Sequence, residues 1–491
     1  MNLTCALLSR LVDPSIIEDG ASLLAKVSQT TGDFEVINPA NGERLATLPE
    51  MGANETRAAI DAAYAVQNSW AGKTAKERSV LLRKLHNLML ANADDLACIL
   101  TMEMGKPLAE ARGEIVYGAS YVEWFAEEAK RVYGDVIPPH QSDKRILVLK
   151  QPIGVVGVIT PWNFPCAMLA RKLAPALAAG CAVVAKPAHQ TPLSAIALAV
   201  LAQRAGLPEG VFNLITGSSG SVVGKEMCAN DKLRKISFTG STEVGRILMR
   251  QGADKILRMS MELGGNAPFI VFDDADIEAA LEGAMISKYR NAGQTCVCAN
   301  RIYVHNKVHD QFAVGLVERV ATLKLGEGVS EGVTTGPLID AKALAKVEEH
   351  IEDAVARGAK VLVGGRKSDL GDLFFEPTVI TGATNSMRLA REEIFGPIAP
   401  LYSFDDEQDL IDMANDTEYG LAAYFYTKDL SRAWRVTEAL EYGIVGVNTG
   451  LISSEVAPFG GVKQSGQGRE GSKYGLDDYL EMKYVCLGGI Q

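Results

Sequence analysis

Between Met51 and Glu128, apolar residues recur at intervals of three and four, as at Ile60, Ala63 and Tyr64 and again at Leu81, Leu82, Leu85, Leu88 and Met89. That spacing gathers one buried face per helix and predicts a helical segment with little strand. After Gly134 the pattern changes to a short extended piece, Arg145–Lys150, whose β-branched and apolar residues suit the arm of a hairpin.

From Pro152 onward, short apolar runs alternate with longer helical patterns. The runs are Val155–Ile159, Ala182–Ala185, Val211–Ile215, Lys235–Phe238 and Met259–Leu263. Between them lie Met168–Ala179, Ser194–Ala205, Ser221–Asn230 and Glu243–Gln251, long enough to be the crossover helices that parallel strands require. The order predicts a doubly wound α/β sheet, which receives ligands at the carboxyl ends of its strands. A second series, Phe269–Phe272, Arg301–His305, Lys360–Val363, Ala399–Phe404, Ala422–Tyr426 and Gly443–Asn448, is again separated by helical stretches such as Ala341–Arg357 and predicts a second α/β domain. The tail, Tyr479–Leu487, has no strand nearby in sequence and is expected to pair with a distant strand or with another subunit.

A length of 491 residues agrees with this division, since domains of roughly 100 to 200 residues would give about two to four. With 47% hydrophobic and 22% charged residues, the composition is that of a globular chain and excludes disorder as the main state. A net charge of −11 would repel a phosphate backbone, so no nucleic-acid partner is expected. No run approaches the roughly 20 apolar residues of a membrane span; even Ile153–Ala185 is broken by Arg171 and Lys172, and no membrane association is expected. Met1–Gly20 lacks the basic lead and long apolar run of a secretion signal. Eight sparse cysteines without a C-x-x-C pair suit a reducing cytosol and a cytoplasmic location.

Candidate chemistry is concentrated in turns. In Asn291-Ala292-Gly293-Gln294-Thr295-Cys296-Val297-Cys298 a cysteine follows a helix and a glycine, where the backbone can bend and expose a thiol. Such a thiol needs nearby positive charge or amides to react, and a small buried side chain is the competing reading of Cys296. Met261-Glu262-Leu263-Gly264-Gly265-Asn266 ends an apolar strand with an acid: Glu262 reads either as a general base for water or as a capping or ion-paired side chain. In Thr160-Pro161-Trp162-Asn163-Phe164-Pro165 two prolines stiffen a turn, and Asn163 offers either an amide donor for an oxyanion or an ordinary turn residue. Phe238-Thr239-Gly240-Ser241-Thr242-Glu243-Val244-Gly245 has the strand–turn–helix setting in which free amides receive a phosphate. Lys186-Pro187-Ala188-His189 follows another strand of the same sheet; Lys186 is either a solvated lysine or a cation near an adenosine ribose. His305 and His309 have ligand-like spacing but no third ligand is indicated, so no metal is expected. A Cys/His hydrolase would need an orienting histidine, and the doubly wound pattern argues against it.

The five segments Thr160–Pro165, Phe238–Gly245, Glu262–Gly265, Gly293–Cys296 and Glu393-Ile394-Phe395-Gly396-Pro397, in this order and across essentially the whole chain, resemble the aldehyde dehydrogenase superfamily. Gln294–Asn300, Glu262–Asp274 and Gly468–Gly475 are similar in particular to bacterial-type succinate-semialdehyde dehydrogenases. The stretch before about Val36 matches less well.

This resemblance implies roles. Cys296 is the nucleophile, its amide and Asn163 hold the oxyanion, and Glu262 activates water for the thioester. Trp162, Lys186, Pro187, Ala188, His189, Gly240, Ser241, Leu263, Glu393 and Phe395 contact a nicotinamide cofactor. Arg171, Arg290 and Ser453 hold the distal carboxylate of a small semialdehyde, with succinic favoured over glutaric semialdehyde or a broader aldehyde range. His189 stands where NAD-preferring members carry a glutamate, which implies NADP as the preferred cofactor with NAD as second. The implied architecture is a dinucleotide-binding domain of 1–131 and 152–264, a catalytic domain of 265–473, and an oligomerisation arm of 132–151 and 474–491 that makes homodimers or homotetramers. Cys298, two residues from the nucleophile, is a candidate redox partner for it. The rival readings are a coenzyme A-acylating enzyme, against which Glu262 argues, and a non-catalytic relative, against which Cys296 and Glu262 together argue.

Overall fold

The computed structural model describes residues 1–28, 30 and 32–490. The periodic segment after Met51 forms four helices, Ala53–Ala71, Ala75–Ala91, Ala93–Met104 and Leu108–Glu128. The second begins with a capping box in which Thr74 and Glu77 satisfy each other's backbone donors. The third ends on Gly105 in the left-handed region, φ 97°.

The first sheet has six strands, ordered across the sheet as Gly466–Gln467, Arg258–Glu262, Leu233–Thr239, Val155–Ile159, Val183–Lys186 and Phe212–Leu214. All neighbours are parallel except Gly466–Gln467, which runs antiparallel to Met261 and Glu262. Helices cover its two faces, so its strands read as continuous apolar runs. The second sheet has seven strands, in the order Lys360–Val363, Thr378–Thr381, Ile398–Phe404, Ala299–His305, Ala267–Val271, Ala422–Tyr426 and Ile444–Val447. Only its first pair is antiparallel. The doubly wound reading holds, with strand end points within two residues.

The tail resolves as strand Leu480–Gly488, paired antiparallel along its length with Lys144–Pro152, which in turn pairs with Asp135–Ile137. The N-terminal stretch is also built into the molecule. Asn2–Leu3 adds to strand Arg44–Pro49, and Leu7, Ile16, Ile17 and Leu24 are buried in the same core as the first sheet.

The carboxyl ends of strands Val155–Ile159, Val183–Lys186, Leu233–Thr239 and Arg258–Glu262 carry Trp162, Lys186, Gly240 and Glu262 respectively. The switch-point rule therefore places the ligand at this edge, against the loop that leads from helix Ile277–Tyr289 to Cys296.

Candidate active site

The loop that carries Cys296 is bent by backbone conformation. Asn291 and Ala292 have φ 55° and 53°, and Gly293 follows at φ 75°. Non-glycine residues in this region persist only where their surroundings over-determine them, and here they do. The Asn291 N–H donates to Glu110 at 2.8 Å, and its Nδ2 donates to the carbonyls of Asn163 at 3.0 Å and Gln294 at 3.2 Å. Gln294 in turn accepts from the Ile339 N–H at 3.0 Å. A Cβ on Gly293 would lie 2.1 Å from the Gly396 carbonyl, so this loop and the Glu393–Pro397 turn are in backbone contact. Cys296 emerges half-buried on the wall of a cavity of about 310 Å³ that also meets Phe164, Met168, Arg171, Arg290, Ser453 and Phe459. Burial pushes its thiol up to about 12, with Arg171 as the main opposing influence. At neutral pH it is a thiol whose proton must leave on attack.

Asn163 lies in the turn ahead of helix Pro165–Ala179. Its Nδ2 donates to the Gln294 carbonyl at 2.9 Å, leaving the second amide hydrogen for a ligand. Its own carbonyl receives Lys106 Nζ at 2.7 Å, and that ammonium also donates to Glu114 at 2.7 Å and lies 3.7 Å over the Phe164 ring. The other oxygen of Glu114 accepts the N–H groups of Cys166 and Ala167 at 3.0 and 3.1 Å, which ties the Asn163 turn to the start of the helix. Lys106 and Glu114 escape a sequence reading because a lysine after a glycine ordinarily reads as solvated.

Glu262 ends its strand with Oε2 buried and without a hydrogen-bond partner. Burial, and next the charge of Glu470, raise its pKa well above the carboxylate range. Glu470 itself is depressed: burial would raise it, but Arg171 and Lys172, both hydrogen-bonded to it, outweigh burial. The pair therefore holds its proton on Glu262.

Among the expected cofactor residues, Ser241 caps helix Thr242–Gly252 by accepting from the Val244 N–H at 3.3 Å, and a Cβ on Gly240 would lie 2.5 Å from the Phe238 ring. The first helical turn is thus open to an approaching phosphate. Leu263 lies against Gly245, where a Cβ would meet it at 2.6 Å. Trp162 and Phe395 make an edge-to-face pair at 5.5 Å, and Phe395 itself has φ 53°. Glu393 accepts the Gly265 N–H at 3.0 Å and is pushed up to about 7 by burial, which that bond opposes. A Cβ on Gly265 would stand 2.3 Å from the Cys296 carbonyl, so this glycine lets the Glu262 turn, Glu393 and the nucleophile loop meet. Lys186 is buried, donates to the Pro187 carbonyl at 2.9 Å and is pushed down to about 8 by burial. Ala188 accepts from the Thr191 N–H, and His189 stands exposed at the rim of a cleft of about 820 Å³ that includes Asn38, Asp340 and Leu370. Desolvation and then Lys186 hold the His189 imidazole below its ordinary value.

The two arginines expected to receive a distal carboxylate differ. Arg171 is buried, tied through Nε to Glu470 and stacked 4.0 Å from the Phe459 ring, with Nη2 buried and unpaired. Arg290 lies 5.3 Å over the Phe164 ring and, among the described residues, has no hydrogen bond or ion pair to its guanidinium. Ser453 is half-buried in the same wall. Cys298 is buried two residues beyond Cys296, takes a hydrogen bond from Lys288 Nζ at 3.3 Å, and is pushed up by burial first. Every cysteine is a free thiol. Among the described residues no group of three or more His, Cys, Asp or Glu is arranged to hold a metal, and no helix is long and apolar enough to cross a membrane.

Comparison with known proteins agrees with this geometry. The profile described as "Aldehyde dehydrogenase family" matches residues 26–485. The chain belongs to the aldehyde dehydrogenase family. It is 63% identical over 455 residues to an Escherichia coli protein named succinate-semialdehyde dehydrogenase [NADP(+)], covering 93% of this chain and 94% of that one. A Pseudomonas aeruginosa protein named glutarate-semialdehyde dehydrogenase is 61% identical over 472 residues, covering 96% and 97%. The crystal structure of an Escherichia coli NADP-dependent enzyme superposes with a TM-score of 0.92 at 62% identity, covering 93% of this chain and 95% of that one. As an aldehyde dehydrogenase, the chain owes its site to residues outside the sequence motifs as well: Lys106, Glu114, Asn291 and Asn300 all brace it. Asn300 donates to Asn266 at 2.8 Å and accepts from the Ile394 N–H at 3.2 Å, which steadies the turn that carries Glu393.

Proposed function

We propose that the protein oxidises succinic semialdehyde to succinate with NADP. The observation that carries the reading is the unpaired guanidinium of Arg290 in the same cavity as the Cys296 thiol, which sets an anion receptor at a distance from the nucleophile. The family sets the chemistry, and two named relatives act on four- and five-carbon semialdehydes.

In this reading the Cys296 thiol gives up its proton to solvent as its sulfur attacks the aldehyde carbon, forming the S–C bond while the carbonyl pair moves to oxygen. The free amide hydrogen of Asn163 and the Cys296 N–H hold that oxygen. The nicotinamide cofactor, when bound, supplies the hydride acceptor. Glu393 and the Trp162–Phe395 pair orient its ribose and ring, and the first turn after Ser241 receives its phosphate. Glu262, in its ionised form, then takes a proton from the water that cleaves the thioester, releasing a carboxylate and restoring the thiol. Arg290 and Ser453 hold the distal carboxylate. Arg171 is already committed through Nε to Glu470.

The distal-anion reading has a direct test. Arg290→Ala is expected to raise the Michaelis constant for succinic semialdehyde by about ten- to a hundredfold, the size of one or two charge-assisted contacts, and to leave butanal nearly unaffected. Equal losses on both aldehydes would make Arg290 structural. Arg171→Ala should reduce turnover on both aldehydes, since it also removes a counter-charge from Glu470.

For the cofactor, no carboxylate stands at position 189 to repel a 2′-phosphate, and Lys186 supplies the nearby cation. His189, held neutral, contributes an N–H donor. His189→Glu should therefore shift the kcat/KM ratio from NADP toward NAD by about tenfold or more, and a wild-type preference for NAD would contradict the assignment.

The dinucleotide-binding unit is read as 1–131 and 152–264 with strand Gly466–Gln467 added to its sheet, the catalytic unit as the rest of 265–473, and the arm as 132–151 and 474–491. Exposed Tyr133, Val136, Met482 and Tyr484 on the arm support a homodimer or homotetramer.

A further inference from the structure

The cavity around Cys296 contains a carboxylate that the reaction does not use. Glu110 lies half-buried in the first turn of helix Leu108–Glu128 and lines this cavity with Arg290, Tyr117 and Ser453. It accepts the Asn291 N–H at 2.8 Å, one residue from Arg290, and among the described residues has no cation within ion-pair distance. The charged groups facing it are Lys106, which precedes its helix, Glu114, one turn further along, and Arg290 on the nucleophile loop. Lys106 is already committed to Glu114 and the Asn163 carbonyl.

We propose that Glu110 is a specificity-determining residue that tempers the attraction of Arg290 for distal anions and so favours release of the product. This rests on the reading of Arg290 as receiver of the distal carboxylate. The substrate carries one negative charge and the product two, so a carboxylate in the wall repels the product more strongly than the substrate. Glu110 is thereby set apart from a purely structural brace, whose loss would weaken every substrate.

Glu110→Gln tests this cleanly, because its amide oxygen can still accept the Asn291 N–H while the charge is lost. The variant is expected to lower the Michaelis constant for succinic semialdehyde about five- to tenfold, and the succinate inhibition constant by more, with butanal changed less than about twofold. Burial raises the pKa of Glu110, so in the parent the succinic semialdehyde constant should rise relative to butanal as pH climbs through that pKa. The ratio should be flat in Glu110→Gln and retained in Glu110→Asp. Unchanged or uniformly weakened constants in Glu110→Gln, alongside a selective loss in Arg290→Ala, would overturn the role of Glu110 alone. No selective loss in Arg290→Ala would overturn the Arg290 reading and this proposal with it.

Discussion

Cys296→Ala is expected to abolish aldehyde oxidation, by roughly 10⁴-fold or more, because among the described residues no other thiol lines the cavity to form the covalent intermediate. Cofactor binding should be nearly unchanged, since the residues assigned to it come from other turns: Lys186, Gly240, Ser241, Glu393 and Phe395. Two further groups would remain in place in this variant. The Asn163 amide is fixed by Gln294 and Lys106, and Glu262 by its strand. Measured turnover above that level, with NADP still bound, would remove the thiol from the chemistry and leave Asn163 and Glu262 without an acyl group to act on.

Glu262→Gln should separate the two halves of the cycle. Reduced cofactor should appear in a burst close to one equivalent per active site, followed by a steady rate lower by about 10²- to 10⁴-fold, because the amide cannot take a proton from water. The same step sets the pH profile. Burial and Glu470 raise the pKa of Glu262, and a raised pKa keeps a carboxylic acid protonated to higher pH. The steady rate of the parent should therefore fall as pH is lowered through that raised value, while the burst persists. Glu470→Gln removes the repelling charge and should move this fall to lower pH. A profile unaffected by Glu470→Gln would mean that the two carboxyls do not share a titration.

The parallel sheets were legible because strands covered on both faces are continuous apolar runs: Val155–Ile159 and Ala422–Tyr426 have the bounds their patterns predict. Strands made by pairing alone were not. Gly466–Gln467 is two residues long and exists because Met261 and Glu262 offer it an edge. Thr378–Thr381 is a four-residue strand between Pro377 and Gly382, too short for its alternation to be read. The N-terminal helices, four to six residues each, fall below the length at which a period can be seen, although their leucines and isoleucines are buried.

Within the site, Cys296, Glu262 and Asn163 stood in turns whose composition marked them. The sharp bend at Asn291 and Ala292 carried no such mark, because neither residue is a glycine and Asn291 is held left-handed by distant partners. Arg171 illustrates the same limit. The family resemblance implied a carboxylate receptor there, but only the fold brings Glu470, 299 positions away, onto its Nε. The difference between a committed and an uncommitted guanidinium is a three-dimensional fact, and it is why the proposed function assigns the distal anion to Arg290 rather than Arg171.

The most direct measurement is NADPH formation by the purified protein with succinic semialdehyde and with butanal, compared as kcat/KM at one pH and salt concentration. The account predicts that succinic semialdehyde is favoured by about tenfold or more, in keeping with one charge-assisted contact to its distal carboxylate. Equal efficiency on the two aldehydes, or a preference for butanal, would contradict it.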